Sequence, residues 1–130
     1  MSAILKTLPT MFARGHIRKF LDGRFGHYFF TLGRGRPKQS NPTEIYFTHQ
    51  GCIIGHFEIA EIVQNVGQLP KLTTLDGEPS AWQIRGDAWV AVCRPPFHWL
   101  EEKVYHEGFR GWRYFDLDSY RGTVGAKIRI

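Results

Sequence analysis

Residues 108–115 hold the side chains of this chain with the clearest chemistry. The segment reads Gly-Phe-Arg-Gly-Trp-Arg-Tyr-Phe, which places two arginines and four aromatic rings within eight residues. Aromatic rings stack on bases and guanidinium groups pair with phosphates, and single-stranded nucleic-acid sites are built from these two contacts. The pattern predicts a nucleic-acid site at Arg110, Trp112, Arg113 and Tyr114. The alternative is structural, because Trp112 and Phe115 would also fill a hydrophobic core.

The net charge of +5 is distributed unevenly along the chain. Residues 1–38 contain eight basic side chains and one acidic, residues 39–102 three basic and eight acidic, and residues 103–130 six basic and three acidic. If the two basic ends meet in the fold, as chain termini often do, they form one basic face typical of a polyanion binder. We expect phosphates to contact the basic residues of the N-terminal third, namely Arg18, Lys19, Arg24, Arg34 and Arg36. The alternative is that the charge only keeps the domain soluble.

Length and composition indicate a single globular domain spanning residues 1–130, large enough for a hydrophobic core of its own. No apolar run approaches the ~20 residues that a membrane helix needs. The first residues lack the apolar segment and cleavage site of a signal peptide. Cys52 and Cys93 are the two cysteines, and their apolar neighbours indicate buried thiols in a reducing compartment. We therefore expect a cytoplasmic protein without a membrane partner.

Catalytic and metal-binding patterns are weak in this chain. His49, Cys52 and His56 give the spacing H-x-x-C-x-x-x-H, but no fourth ligand follows at a zinc-like interval. Glu101 and Glu102 are adjacent, so their side chains diverge and do not form a cooperating acid–base pair. No phosphate-binding loop of the G-x-x-x-x-G-K type is present. We expect no metal, no cofactor and no catalytic residue.

The elements that must position the basic and aromatic side chains are mostly strands. The patterns predict a helix over Thr10–Leu21, strands over His27–Leu32, Glu44–Thr48 and Cys52–Val63, and a tight hairpin turn at Gln50-Gly51. Ile53, Gly55, Phe57 and Ile59 are expected on one face of their strand. Gly55 in the middle of that strand indicates a bulge or a close backbone contact.

The second half of the chain is predicted in the same way. Residues 33–42 and 67–80 are expected to be exposed loops, and Asp87–Cys93 a buried central strand that Arg94-Pro95-Pro96 ends. Phe97–Val104 is expected to form one or two helical turns, with late strands over Trp112–Phe115 and Lys127–Ile130. Many short strands with little helix predict a β-rich α+β fold, a small mixed barrel with short flanking helices.

The order of these elements resembles the ASCH group of the PUA-like superfamily. The resemblance depends on Leu21-Asp22-Gly23-Arg24 after the first helix, the hairpin from Ile45-Tyr46-Phe47 to Gly51-Cys52-Ile53-Ile54-Gly55-His56-Phe57-Glu58-Ile59, and the late Gly-Phe-Arg-Gly-Trp-Arg-Tyr segment. It implies a small pseudo-β-barrel with a cleft for RNA, or for a modified nucleoside or base.

Some members of that group resemble hydrolases that remove an acyl group from a modified cytidine. They use a lysine and a threonine in a Gly-x-Lys-Thr stretch after the first helix, where this chain has Gly23-Arg24-Phe25-Gly26. Phe25 and Gly26 offer neither a base nor a nucleophile. The departure favours recognition without catalysis.

Three functions remain open at this point. The leading one is a nucleic-acid-binding module for RNA, a single strand or a modified base in a basic, aromatic-lined cleft. The second is a hydrolase of an acylated or otherwise modified nucleoside, with Glu101, Glu102 or His98 supplying acid–base function. The third is a protein-interaction or regulatory domain that binds an acidic partner. A strand edge at Lys127–Ile130 is a possible contact between copies.

Overall fold

Six strands make up the ordered framework of the chain. The computed structural model describes residues 3–8, 21, 28–33, 37, 41–64 and 88–120. The strands are β1 Ala3–Thr7, β2 Tyr28–Gly33, β3 Glu44–His49, β4 Cys52–Gln64, β5 Trp89–Tyr105 and β6 Trp112–Phe115. Residues 117–120 form one helical turn, here called α1. The predicted strands of the first hairpin, the β2 strand and the β6 strand are confirmed.

All six strands belong to one curled sheet in the order β2-β5-β4-β3-β1-β6. The β1–β3 pair is parallel and the other four neighbouring pairs are antiparallel. The sheet curls into a half-barrel, so the predicted β-rich, barrel-like architecture is confirmed at that level. β1 pairs with β6, which brings the start of the described chain next to its end.

The hairpin between β3 and β4 turns at the predicted dipeptide. Gln50 and Gly51 have φ values of 52° and 80°, as the two central residues of a type I′ turn require. The turn fixes the register, with His49 opposite Cys52, Phe47 opposite Gly55 and Tyr46 opposite His56. The register of the β3–β4 pair therefore follows from the Gln50-Gly51 dipeptide, which can be recognised in the sequence.

Gly55 is the point where the two faces of β4 change their alternation. Its φ is 151°, and a Cβ atom there would run into the carbonyl oxygen of His98 and the ring of Phe97. The pairing shifts between Ile53 and Gly55, so the predicted bulge and close contact are both confirmed. The shift also separates Ile53 from Phe57, which pack in different clusters, and the prediction that they share one face is wrong.

Strand β5 is longer than the sequence patterns predict. Pro95-Pro96 does not end it, and Phe97–Val104 continues as strand where a helix was expected. The prolines fall where the β4–β5 ladder shifts register, between Arg94 opposite Glu58 and His98 opposite His56. A proline is tolerated at such a bulge because no ladder hydrogen bond is lost. Long-range pairing with β4 decides this segment, whereas local propensity alone favours helix.

The sheet has two differently packed faces. The inner face of the half-barrel carries an aromatic core in which the ring centroids of Tyr28 and Phe57 lie 4.6 Å apart and those of Phe30 and Phe47 lie 4.5 Å apart. The outer face carries a smaller cluster built on Leu5, Ile53 and Val104. Phe115 and α1 pack against this second cluster, so α1 covers part of the outer face.

Several predicted elements lie outside the described residues. Of the Thr10–Leu21 helix the structure describes Leu21, which is helical and buried. The crossing at 67–80, most of the loop at 33–42 and the strand at Lys127–Ile130 lie outside. Within the described residues both cysteines are free thiols, Cys93 fully buried and Cys52 partly exposed. Burial raises the pKa of the Cys93 thiol. The described residues contain no helix long and apolar enough to cross a bilayer.

Candidate functional site

The edge strand β6 divides the predicted nucleic-acid residues between its two sides. Successive side chains of a strand point to opposite faces. Trp112 and Tyr114, which lie opposite Lys6 and Ile4, belong to the inner face. Arg113 lies opposite Leu5 and belongs to the outer face. The four predicted residues therefore surround one sheet edge and do not line a single cleft.

Arg113 is the best-defined cation of this edge. Its guanidinium carbon lies 4.2 Å from the centroid of the Phe109 ring, and the side chain is otherwise exposed. The Phe109 backbone N–H donates to Thr7 Oγ1 over 3.0 Å, and the Thr7 and Thr48 hydroxyls are 2.7 Å apart. These bonds fix the loop that carries Phe109 to β1 and β3. The cation–π contact favours this position of the guanidinium over the ring.

Trp112 and Tyr114 differ in exposure although they share a face. Their ring centroids are 5.1 Å apart with the planes nearly perpendicular. Trp112 packs against the inner aromatic core, whereas Tyr114 is 37% exposed. This packing favours the structural alternative for Trp112, whose ring contacts the core. The Tyr114 ring is exposed at the sheet edge, and Arg110 is exposed in the preceding turn.

The basic residues that were predicted to contact phosphates all lie outside the described part of the chain. They are Arg18, Lys19, Arg24, Arg34 and Arg36. The described residues carry five basic side chains, and these are Lys6, Arg94, Lys103, Arg110 and Arg113. Lys6 is partly buried opposite Trp112, and this burial lowers the pKa of its ammonium group. Of the five, Arg110 and Arg113 are the exposed cations near β6.

A row of aromatic rings crosses the outer face from the Arg113 end of the sheet to β5. Consecutive ring centroids are between 4.7 and 5.7 Å apart. In order, the rings belong to Phe109, His106, Tyr120, Phe115, Tyr46, His56 and His98. These residues come from β3, β4, β5, β6, α1 and the connection between β5 and β6. No local sequence pattern could therefore display the row.

A groove of about 500 Å³ lies at the β5 end of this row, between the outer face and α1. Its polar lining consists of imidazoles, carboxylates and one phenol, with aromatic and aliphatic groups between them. The lining residues are Ala3, Glu44, Tyr46, His56, His98, Trp99, Leu100, Phe115, Asp116, Leu117 and Asp118. Sequence reasoning singled out His98 among these as an acid–base candidate and missed the groove. Glu101 and Glu102, the other two candidates, are exposed and do not line it.

Glu44 and His56 form the central contact of the groove. His56 Nε2 lies 2.9 Å from Glu44 Oε2, and the Tyr46 hydroxyl donates to the same oxygen over 3.4 Å. The His98 ring stacks on His56 with a centroid distance of 4.7 Å. The hairpin register places Tyr46 opposite His56, and Glu44 lies two residues from Tyr46 on the same face of β3. The contact between Glu44 and His56 could therefore have been predicted from the register of the hairpin.

Burial lowers the pKa of His56 below its usual value. The carboxylates of Glu44 and Glu58 act in the opposite direction, and His98 lowers the pKa further. His56 is therefore neutral at pH 7, and its contact with Glu44 is an N–H···O hydrogen bond in which Nε2 donates. Nδ1 is then the imidazole nitrogen with a lone pair that accepts a proton or hydrogen bond.

The H-x-x-C-x-x-x-H pattern does not assemble a metal site. His49 and Cys52 face each other across the hairpin turn, whereas His56 lies along the strand on the outer face. Among the residues that the structure describes, no group of three His, Cys, Asp or Glu side chains is placed to hold a metal ion. Comparison of the chain with protein-family profiles, curated proteins and solved structures finds no match.

Proposed function

We propose that this protein is a nucleic-acid-binding module that takes a single strand, with RNA favoured, along the edge of the sheet formed by β6. The observation that carries the proposal is the Arg113 guanidinium held over the Phe109 ring at 4.2 Å on an exposed edge. An arginine fixed in this way offers one planar face for a base and N–H donors for a phosphate. Arg110, Phe109, Arg113 and Tyr114 are called the edge surface below.

The edge surface combines the two contacts that a single strand needs. Tyr114 supplies an exposed ring on the inner side, and Arg113 with Phe109 supplies a cation and a ring on the outer side. β6 is the terminal strand of the sheet order, so a strand of nucleic acid can follow it and contact both sides. Arg18, Lys19, Arg24, Arg34 and Arg36 are proposed to contact phosphates that extend beyond this edge.

The groove does not belong to the proposed nucleic-acid surface. Glu44, Asp116 and Asp118 line it, and each carboxylate disfavours a phosphate nearby. The phosphodiester backbone is therefore expected at the Arg113 end of the outer face.

The resemblance to the ASCH group extends the proposal to the fold and the location. We propose that the curled sheet is a PUA-like pseudo-barrel and that the protein acts in the cytoplasm, where RNA and modified nucleosides occur. The hydrolase and protein-interaction hypotheses remain predictions. Of the three residues named for hydrolysis, His98 has a position that favours a role, because it stacks on His56 in the groove.

The test is fluorescence anisotropy with labelled single-stranded RNA, single-stranded DNA and their duplexes, each at low and near-physiological salt. We expect the single strands to bind more tightly than the duplexes and the affinity to fall as salt rises, because phosphate contacts release counterions. Equal binding of duplex and single strand would contradict the stacking part of the proposal. Absence of binding to every probe would contradict the proposal as a whole.

A further inference from the structure

The groove beside α1 has walls of two different kinds. One wall is the outer face of the sheet, where Glu44, Tyr46, His56 and His98 come from β3, β4 and β5. The other wall is Phe115 with the start of α1. The rings of Tyr46 and Phe115, one from each wall, have centroids 5.4 Å apart and planes inclined at 60°. Each wall of the groove therefore contains an aromatic ring beside its polar groups.

The second wall is held by a cap. Asp116 Oδ1 accepts from the backbone N–H groups of Asp118 and Ser119 over 3.1 and 3.4 Å, and Asp116 Oδ2 accepts from the Ser119 hydroxyl over 3.2 Å. This is the arrangement of an N-cap residue, which stabilises the first turn of a helix. The cap keeps the Asp116 carboxylate at the groove, where its charge adds to that of Glu44.

Glu44 supplies the carboxylate on the sheet side of the groove. The Nε2–H of neutral His56 is directed at this carboxylate. Glu44 retains acceptor capacity, since a carboxylate has about four lone-pair sites. Among the described side chains that line the groove, none carries a Lys or Arg cation. The groove is thus built for a ligand that donates N–H groups.

We propose that the groove binds a small, flat organic cation of the amidinium or guanidinium class. Such a group donates N–H bonds to the Glu44 carboxylate, while its face rests on one of the Tyr46 and Phe115 rings, whose planes are inclined at 60° to each other. A cation over aromatic rings gains electrostatic energy in addition to the contact area. A concave, aromatic-lined site with a few converging polar groups is the usual form of a small-ligand pocket.

This binding site is independent of the nucleic-acid surface, since the two prefer opposite charges. The edge surface attracts phosphates through Arg110 and Arg113, whereas the groove repels them through Glu44, Asp116 and Asp118. The cation has two possible sources, a free small molecule or the arginine side chain of a protein partner. Both present the same planar N–H donors.

Isothermal titration calorimetry of the full chain with benzamidine, benzamide and benzoate tests the proposal. The three probes have one shape and carry a positive charge, no charge and a negative charge. We expect benzamidine to bind, benzamide to bind at least about tenfold more weakly because a charge-assisted hydrogen bond is replaced by a neutral one, and benzoate not to bind. A blocked tripeptide with arginine at its centre distinguishes the partner source, because it binds as well as benzamidine only if a side chain is accommodated.

A pair of variants locates the binding. Glu44→Gln is expected to weaken benzamidine binding about tenfold, since it removes one charge-assisted contact. Glu101→Gln removes the same charge from an exposed position on β5 outside the groove and should leave the affinity unchanged. Circular dichroism of both variants checks that the sheet is intact.

The pH dependence gives a second readout with a defined sign. The groups that face His56 are Glu44 and Tyr46 from β3, Glu58 on its own strand, His98 from β5, and Asp116 and Asp118 across the groove. His56 is neutral at pH 7, and its protonation adds a positive charge that repels the probe. Affinity for benzamidine should therefore fall as the pH is lowered from about 7.5 to about 5.

Three results would overturn the proposal: equal binding of benzamide and benzamidine, equal effects of the two glutamate variants, or no saturable binding of benzamidine at millimolar concentration. None of these results bears on nucleic-acid binding, which the anisotropy experiment tests separately. A loss of nucleic-acid binding would equally leave the groove proposal in place.

Discussion

At the scale of the residue, exposure separates the side chains proposed for recognition from those that pack in the core. Trp112 and Tyr114 lie two positions apart on the same face of β6, and the sequence alone does not distinguish their roles. The structure distinguishes them by exposure, because Trp112 packs on the inner core and Tyr114 is 37% exposed. An aromatic side chain therefore contributes to the core at one position and is exposed at the sheet edge at the other.

This difference predicts opposite effects of two alanine variants. Trp112→Ala should lower the free energy of unfolding by about 2 kcal/mol, somewhat less than for a fully buried tryptophan, since the ring is partly exposed. Tyr114→Ala should cost less than about 1 kcal/mol of stability but weaken single-strand binding by about 1 kcal/mol or more, the contribution of one stacked base. Urea denaturation and anisotropy measure the two quantities. Unchanged affinity in Tyr114→Ala would remove Tyr114 from the edge surface.

His56 shows what a sequence cannot display about one residue. In the chain it stands in an H-x-x-C-x-x-x-H pattern that suggests a metal ligand. In the fold it donates to Glu44, stacks on His98 and is neutral because burial lowers its pKa. The Glu44 contact follows from the hairpin register, whereas the His98 contact depends on pairing with β5, which the sequence does not display.

At the scale of the element, local signals predicted those strands that a turn or an alternating pattern defines. The Gln50-Gly51 turn predicted the β3–β4 hairpin and its register, since positive φ at both residues selects a type I′ turn. The second half of β5 was predicted as helix because Pro95-Pro96 appeared to end the strand. Pairing with β4 overrides that local preference, and tertiary contacts of this kind are absent from a sequence window.

Gly55 makes the β4–β5 pairing testable. A Cβ atom at this position would meet the His98 carbonyl oxygen and would lie 2.7 Å from Phe97 Cε2. Gly55→Ala should therefore lower the free energy of unfolding by about 3 kcal/mol or more, in the range of the largest single-residue effects. Gly51→Ala is the matched control, because its φ is 80° but no atom lies within 4 Å of the added Cβ.

The control separates backbone conformation from crowding. Gly51→Ala should cost about 1–2 kcal/mol, the penalty of a left-handed conformation for a residue with a Cβ. Chemical denaturation of both variants gives the comparison. Equal losses of stability would mean that the close approach of β5 to Gly55 is not a tight contact.

At the scale of the whole molecule, the charge pattern along the chain and the fold agree in part. Pairing of β1 with β6 brings the first strand beside the last one, as the expectation of meeting ends requires. Yet the described residues include five basic and eight acidic ones, so most of the positive charge that the sequence displays lies outside the described part of the chain. Composition alone could not tell that the described outer face is acidic at the groove and basic at Arg113.

The candidate site was accordingly predicted in part. Arg110, Arg113 and Tyr114 are exposed at one sheet edge, as a binding role demands, and their residue types pointed to that role before any fold was considered. The groove and the aromatic row could not be predicted, because they require the register of five strands and the position of α1. Both arise from long-range pairing.

The measurement that tests the central claim most directly is the salt dependence of single-stranded RNA binding by Arg113→Gln and Arg94→Gln. Both variants remove one exposed arginine, but Arg94 lies on β5 away from the edge surface. If Arg113 contacts a phosphate, its loss should weaken binding and reduce the slope of log affinity against log salt by about one unit, with Arg94→Gln unchanged. Equal slopes and affinities in both variants would contradict a nucleic-acid site at this edge.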